Sequence, residues 1–233
     1  MGSLKATNIE KSYGNKKILY DISMEVNSGE IVGLLGPNGA GKTTMFYIIC
    51  GLLKASKGSI TINEEDISDI AFFERAEKSI GYLPQEACVF RDLSVEDNLN
   101  IAAEISIKNK ILRHKKVEEL LNIFRIEPIR KAIGSSVSGG ERRRVEIARM
   151  LISDPNFLLF DEPFAGIDPV SVNDIKSIVK DLAKNNIGML ITDHSVRDIL
   201  DLCDRIYVIR NGHIIVNGTM EDVINNETVK KHY

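Results

Sequence analysis

Gly36-Pro37-Asn38-Gly39-Ala40-Gly41-Lys42-Thr43-Thr44 follows the spacing G-x-x-x-x-G-K-[ST]. Just before it, Glu30-Ile31-Val32-Gly33-Leu34-Leu35 is a short apolar run that reads as a buried strand. Just after it, Thr44 to Cys50 reads as a helix. A glycine-rich loop between a strand and a helix is the context in which this spacing holds phosphate. Gly39 and Gly41 can take positive φ and carry no Cβ, so backbone N–H groups can wrap a phosphate chain. The helix N-terminus adds unpaired donors and the positive end of a dipole. Lys42 is placed to reach the β- and γ-phosphates, and the Thr43 hydroxyl to ligate Mg²⁺. The stretch predicts nucleotide binding without saying which nucleotide, or for what work.

Outward from this loop, the pattern is α/β on both sides of a helical stretch. Leu4 to Tyr13 and Ile18 to Val26 read as strands, and Asn27-Ser28-Gly29 as a turn into the loop's strand. Ser59 to Ile62 is a further short strand, Asn63 to Asp66 an exposed acidic turn, and Ser79 to Pro84 a strand ended by proline and followed by Gln85. From Ser94 the texture turns helical: Ser94-Val95-Glu96-Asp97 resembles a capping start, with apolar residues at helical spacing through Ile105. Further helices are expected over Ile111 to Phe124 and from Gly140 to about Ile152, so residues 90–152 read as a helical insert. The α/β pattern returns with Phe157 to Glu162, a helix after Pro169, a strand over Gly188 to Thr192 and a helix over Ser195 to Cys203. Arg205 to Arg210 and His213 to Val216 form a hairpin across Asn211-Gly212, and two short helices follow.

The second chemical signal is a pair of carboxylates. Asp161 ends an apolar run, where it can hold Mg²⁺ through water. Glu162 follows, where the chain turns, and can orient and deprotonate a water attacking the γ-phosphate. Capping of the next element is the plainer role for both. Gln85 and His194 also stand where strands end, and His194 there suits a γ-phosphate contact. Val137-Ser138-Gly139-Gly140-Glu141-Arg142 forms another potential anion-binding helix start, or a plain cap. Tyr13, before a turn at Gly14, suits either base stacking or packing. The run Arg142-Arg143-Arg144 reads as a solvated helix face.

Composition bounds the function. The 233 residues suffice for one large domain or two small lobes, and 43% hydrophobic with 27% charged is ordinary for a soluble protein. A net charge of −3 gives no basic excess for nucleic acid. The three separated cysteines, Cys50, Cys88 and Cys203, fit buried thiols in a reducing compartment. The polar N-terminus does not read as a signal peptide, the myristoylation pattern fails at Ala6, and no apolar run approaches the ~20 residues of a membrane span.

Taken together, these segments resemble the ATP-binding subunit of ABC transporters over nearly the whole chain. Tyr13 matches that family's A-loop aromatic, Gly36 to Thr44 its Walker A, Gln85 its Q-loop, and Ser138-Gly139-Gly140-Glu141 its signature. Asp161 and Glu162 match Walker B and the catalytic glutamate, Ala165-Gly166-Ile167-Asp168 the D-loop, and His194 the switch histidine. The signature departs from the commonest form with Val137 for Leu and Glu141 for Gln. Long blocks at Gly81 to Ala87, Phe90-Arg91, Leu93 to Val95, Ser138 to Arg149, Asp161 to Pro169 and Ile191 to His194 are similar to the lipopolysaccharide-export branch.

The resemblance implies a RecA-like P-loop NTPase core with an N-terminal antiparallel β subdomain, made of residues 1–89 and 153–233, and a helical signature subdomain at 90–152. It implies ATP and Mg²⁺ as cofactors. Nucleotide would be held by Tyr13, Gly36, Pro37, Asn38, Gly39, Ala40, Gly41, Lys42, Thr43, Thr44, Ser138, Gly139, Gly140 and Glu141, and the metal by Thr43, Gln85 and Asp161. Glu162, His194 and Gln85 would serve catalysis. It further implies a homodimer at the cytoplasmic face of the inner membrane, bound through transmembrane subunits that dock near Glu86, Phe90 and Arg91. Similar sequences usually run a few residues past Tyr233, so a shortened copy is an expectation. The rival readings are a branched-chain amino acid importer ATPase, a soluble ABC ATPase acting on DNA or ribosomes, and a GTPase. The soluble ATPase would be expected to carry coiled-coil insertions or two cassettes, and the GTPase an N-K-x-D signature, none of which appears.

Overall fold

The computed structural model describes residues 2–77, 79–193 and 195–230. Apolar runs become strands that are buried on both faces, as a parallel sheet covered on both sides requires. The strands β1 (Ser3–Tyr13), β2 (Lys16–Asn27), β4 (Lys57–Ile62) and β5 (Glu65–Asp66) form one sheet in the order β2-β1-β4-β5, antiparallel throughout. A six-stranded sheet contains β3 (Ile31–Leu35), β6 (Ile80–Leu83), β7 (Phe157–Asp161), β8 (Gly188–Thr192), β9 (Arg205–Arg210) and β10 (His213–Gly218), in the order β10-β9-β3-β8-β7-β6. It is parallel except for the hairpin strand β10. Every residue of β3, β7 and β8 is buried.

The helices are α1 (Lys42–Cys50), α2 (Phe72–Glu77), α3 (Val95–Ser106), α4 (Lys110–Ile123), α5 (Gly139–Met150), α6 (Pro169–Lys184), α7 (Val196–Leu202), α8 (Met220–Asn225) and α9 (Glu227–Lys230). Each expected helix is present within a few residues of its expected bounds. The six-residue α2 is an addition, too short to show a helical period in the sequence. The expected acidic turn at Asn63 to Asp66 keeps its turn at Asn63-Glu64 and lends Glu65-Asp66 to the sheet edge.

The six-stranded sheet divides the core in two. Because strand side chains alternate, Leu158 and Phe160 of β7, Met189 and Ile191 of β8, and Ile206 and Val208 of β9 face a layer built by α3 to α7. Phe157 and Leu159, Leu190, and Tyr207 and Ile209 face the other way, onto Met45, Phe46, Ile48 and Ile49 of α1 and the antiparallel sheet. Each such apolar side chain taken from water contributes about 1.5–3 kcal/mol, so both faces anchor the sheet. The same alternation decides the placement of chemistry: Asp161, two residues past Leu159, lies on the α1 side.

Candidate active site

The phosphate loop starts where β3 ends and is seated by glycine geometry. Gly41 caps α1 with φ +111°, and a Cβ there would lie 2.5 Å from Leu19 Cδ2. At Gly36 a Cβ would come 2.4 Å from the Ile209 carbonyl oxygen, so the loop lies against β9 main chain. The loop is tied to the β9–β10 hairpin by Gly212 N–H donating to Ala40 O at 3.1 Å. No side chain caps the first turn of α1, which leaves its N–H groups for a ligand. Pro37, Asn38, Gly39 and Thr43 are exposed, Gly36 and Thr44 half-buried, and Ala40, Gly41 and Lys42 buried. The helix begins at Lys42, two residues before its expected start. The Lys42 ammonium donates to Gly36 O at 2.7 Å and Pro37 O at 3.2 Å. Burial pushes its pKa down, while the Glu162 and Asp161 carboxylates oppose that shift.

The carboxylates stand at the same carboxyl edge of the sheet. β8 separates β3 from β7, so Asp161 and the loop flank one strand. Asp161 is 4% exposed, and its Oδ2 accepts from the Tyr82 hydroxyl at 3.4 Å. Burial raises its pKa, the Glu162 carboxylate adds to the rise, and Tyr82, Lys42 and Arg143 oppose it. Glu162 has φ +51°, a conformation that costs a non-glycine residue roughly 1–3 kcal/mol. Its backbone overdetermines that turn: its N–H donates to Thr192 O at 2.8 Å, and its carbonyl accepts from Arg143 Nη2 at 3.0 Å. His194 lies outside the described residues. Its neighbour Asp193 accepts from Phe164 N at 3.1 Å and Ser195 N at 2.9 Å, fixing the turn after β7 against the end of β8.

The second glycine pair sits elsewhere. Ser138 caps α5: its Oγ accepts from Glu141 N at 3.3 Å, and Glu141 Oε2 accepts from Ser138 N at 2.8 Å. Glu141, expected among the nucleotide contacts, thus closes a capping box. A Cβ on Gly139 would lie 3.3 Å from Gly166 O, and one on Gly140 2.2 Å from Ser171 Oγ. Gln85 is exposed and lines a cleft of about 20 Å³ with Ala87, Gly139, Arg142, Arg143, Glu146, Ala165 and Ile167. The structure therefore groups Gln85 with the start of α5 and the turn after β7, while the phosphate loop is packed on Leu19 and Ile209. Tyr13 is 52% exposed at the end of β1, with the Lys11 ammonium 5.3 Å from its ring centre. The ring is thus about half exposed, which fits stacking on a base as well as partial packing. Glu86, Phe90 and Arg91 are exposed too. Phe90 carries Arg149 over its ring at 5.1 Å, and its backbone is held by Asn98.

One expectation is corrected. Arg142-Arg143-Arg144 is not a solvated face: Arg143 is 4% exposed, and Arg142 and Arg144 are half-buried. Arg143 donates to Pro84 O (3.1 Å), Glu162 O (3.0 Å), Pro163 O (2.9 Å) and Glu146 Oε2 (3.1 Å). It pins α5 to the strand end before Gln85 and to the turn at Glu162. The signal was present in the sequence: Arg143 is three residues from Gly140 and four from Ile147, on the buried stripe, with Glu146 at i+3 as its ion partner. Tyr82 and Asp193 were missed as well, because their partners are fixed only by the sheet.

The sequence model of the ABC transporter family matches residues 19–165. The lipopolysaccharide export system ATP-binding protein LptB of Haemophilus influenzae is 52% identical over 236 residues, spanning 100% of this chain and 97% of that protein. The LptB of Acidithiobacillus ferridurans is 44% identical, over 99% of this chain and 95% of its own length. Among solved structures, the ADP conformation of MJ1267, an ATP-binding cassette of an ABC transporter, superposes with a TM-score of 0.88 at 29% identity, covering 99% of this chain and 98% of that one. Identity at this level over essentially full length, on a sheet edge that gathers a phosphate loop and two carboxylates, leaves one assignment: the chain belongs to the ABC transporter family, as an ATP-binding protein.

Proposed function

We propose that this chain is the ATP-hydrolysing subunit of a lipopolysaccharide-export transporter. The observation that carries the chemistry is the joint placement of the Lys42 loop, Asp161 and the strained Glu162 at one edge of the sheet. Similarity to the LptB proteins across the whole chain supports the cargo.

In this reading Tyr13 stacks on the base, and residues Gly36 to Thr44 wrap the phosphates with N–H groups and the Lys42 ammonium. Thr43, Asp161 and Gln85 each carry a side-chain oxygen, the donor type a hard divalent cation takes; they would hold Mg²⁺, which would supply charge neutralisation on the phosphates. Glu162 orients a water and takes its proton as the water oxygen attacks the γ-phosphorus. The bond to the β-phosphate oxygen breaks, leaving ADP and phosphate. His194 contacts the γ-phosphate. Ser138, Gly139 and Gly140 close over the γ-phosphate held by a second copy, so two composite sites form per homodimer, which excludes water from each. The dimeric cassette MJ0796, solved with ADP and phosphate, shares this fold. The chain divides into an α/β part, residues 1–89 and 153–233, and a helical part, residues 90–152. Among the described residues no helix is long and apolar enough to cross a membrane. In this reading the chain works at the cytoplasmic face of the inner membrane, held by transmembrane subunits that dock near Glu86, Phe90 and Arg91.

The test is to purify the chain with its membrane subunits and identify what is moved. Lipopolysaccharide released from vesicles upon ATP addition is the expected result. ATP-driven amino acid uptake without lipid release would replace this cargo, and no copurifying membrane subunits would remove the transporter reading.

A further inference from the structure

Arg75 in α2 is 2% exposed, and its guanidinium is satisfied by main chain. Nη1 donates to Ile48 O at 2.8 Å and Ile49 O at 2.6 Å, Nε to Ile70 O at 2.9 Å, and Nη2 to Ser68 O at 3.0 Å. Burying a cation is costly unless its donors find partners, and here four carbonyls take four of the five N–H groups. The carbonyls belong to two segments. Ile48 and Ile49 belong to the last turn of α1, at the negative end of its dipole, and Ile48 O also accepts from Gly51 N at 3.2 Å. Ser68 and Ile70 belong to the link between β5 and α2. Gly51, just past α1, leaves the room: its φ is +84°, and a Cβ there would lie 2.8 Å from Arg75 Nε.

The other end of α1 is the phosphate-binding end. The helix has nine residues, so its two ends are only about 13 Å apart, and it tilts as one body. A bracket on its last turn therefore sets the aim of its first-turn N–H groups and of Lys42. The same α2 also braces the carboxylate side. Phe72 packs edge-on against Tyr82 at 6.5 Å, Tyr47 of α1 does so at 6.4 Å, and the Tyr82 hydroxyl reaches Asp161.

We propose that Arg75 is a positioning residue for nucleotide binding, clamping the far end of α1 to the β5–α2 link so that the phosphate-binding end is held in place. The proposal rests on the reading that α1 binds nucleotide phosphates. It differs from a purely stabilising role in what it predicts for folded protein. A lysine keeps the charge, but its single ammonium cannot span carbonyls on both segments.

The experiment measures the ATP dissociation constant of the full chain by equilibrium titration, at a temperature where circular dichroism shows each protein folded, alongside thermal midpoints. The variants are Arg75→Met and Arg75→Lys, with Arg130→Met as a control for lost stability. Arg130 bridges Glu96 and Glu118 in the helical part, away from α1. Arg75→Met should weaken ATP binding by about five- to tenfold, and Arg75→Lys by about three- to fivefold. Arg130→Met should lower the midpoint and leave ATP affinity unchanged. ATP affinity within about twofold of wild type in folded Arg75→Met overturns the proposal and leaves Arg75 a structural rivet. If that variant does not fold, the same result in Arg75→Lys overturns it. Failure of the wild-type chain itself to bind ATP would instead remove the underlying reading of α1, and the proposal with it.

Discussion

Two helices of this protein begin with glycine at a place suited to an anion, and they begin differently. α1 is capped by Gly41 in a left-handed conformation, with no side chain on its first-turn donors. α5 is capped by Ser138, and the Glu141 carboxylate already sits on that N-terminus. An N-terminus whose donors are left open, with a buried lysine at its first position, can hold a polyphosphate by itself. One that carries its own carboxylate has fewer donors to offer and meets like charge. It can add the remaining N–H groups and a serine hydroxyl to a phosphate already held elsewhere. On the function proposed above, the difference makes α1 the primary site and α5 the completing one.

That assignment can be broken in several ways. Glu162→Gln should give the largest effect: turnover should fall by about 10²–10⁴-fold while ATP still binds, because an amide can hold water but not take its proton. ATPase activity within about threefold of wild type would strip Glu162 of the role. Next, Lys42→Ala should weaken ATP binding by a single chain by roughly ten- to a hundredfold. Gly139→Asp should leave single-chain binding near wild type. Equal losses in the two variants, measured by titration on monomer, would end the distinction between the helices.

Mixing Lys42→Ala with Gly139→Asp, each expected to lose turnover alone, sharpens the same point. In a mixed dimer both lesions fall in one site and the other site is intact. With half the dimers mixed and sites independent, about a quarter of wild-type activity should return. No recovery, with exchange confirmed and one-site dimers competent, would mean that α5 serves its own chain.

The smallest effect concerns the cap. Ser138→Ala should cost about 1 kcal/mol of stability by denaturant titration. The Ser138 side-chain and backbone hydrogen bonds hold the Glu141 carboxyl below its ordinary pKa. A depressed carboxylate adds stability that is present above its unfolded value and is lost as pH falls through the folded one. The wild-type advantage over Ser138→Ala should therefore shrink on acidification through that window. A pH-independent difference would show that the box contributes no ionic component.

Most of the frame was legible in the sequence. Unbroken apolar runs such as Phe157 to Phe160 can be accommodated only by strands covered on both faces, and the phosphate loop named its own flanking elements. The carboxylates were legible because they end such a run. What was not legible depends on chain reversal. The α2 helix is shorter than two turns, so its residues show no period. Arg75 takes main-chain carbonyls as partners, and those have no side-chain signature. The cleft shared by Gln85 and Gly139 depends on how α5 lies across the ends of β6 and β7, which the spacing along the chain does not encode.

The strand that carries the phosphate loop has a further consequence, for the order in which the protein can be made. β3 is residues 31–35, yet its sheet neighbours are β8 and β9, residues 188–192 and 205–210. The bond that ties the loop down comes from Gly212. On the ribosome the loop is translated early, but its strand has two open edges until most of the chain has emerged. Such long-range pairing is slow and exposes apolar edges meanwhile. A nascent chain halted before residue 188 carries the full phosphate-loop sequence without the sheet that seats it, so ATP can select and stabilise only chains made past Gly212.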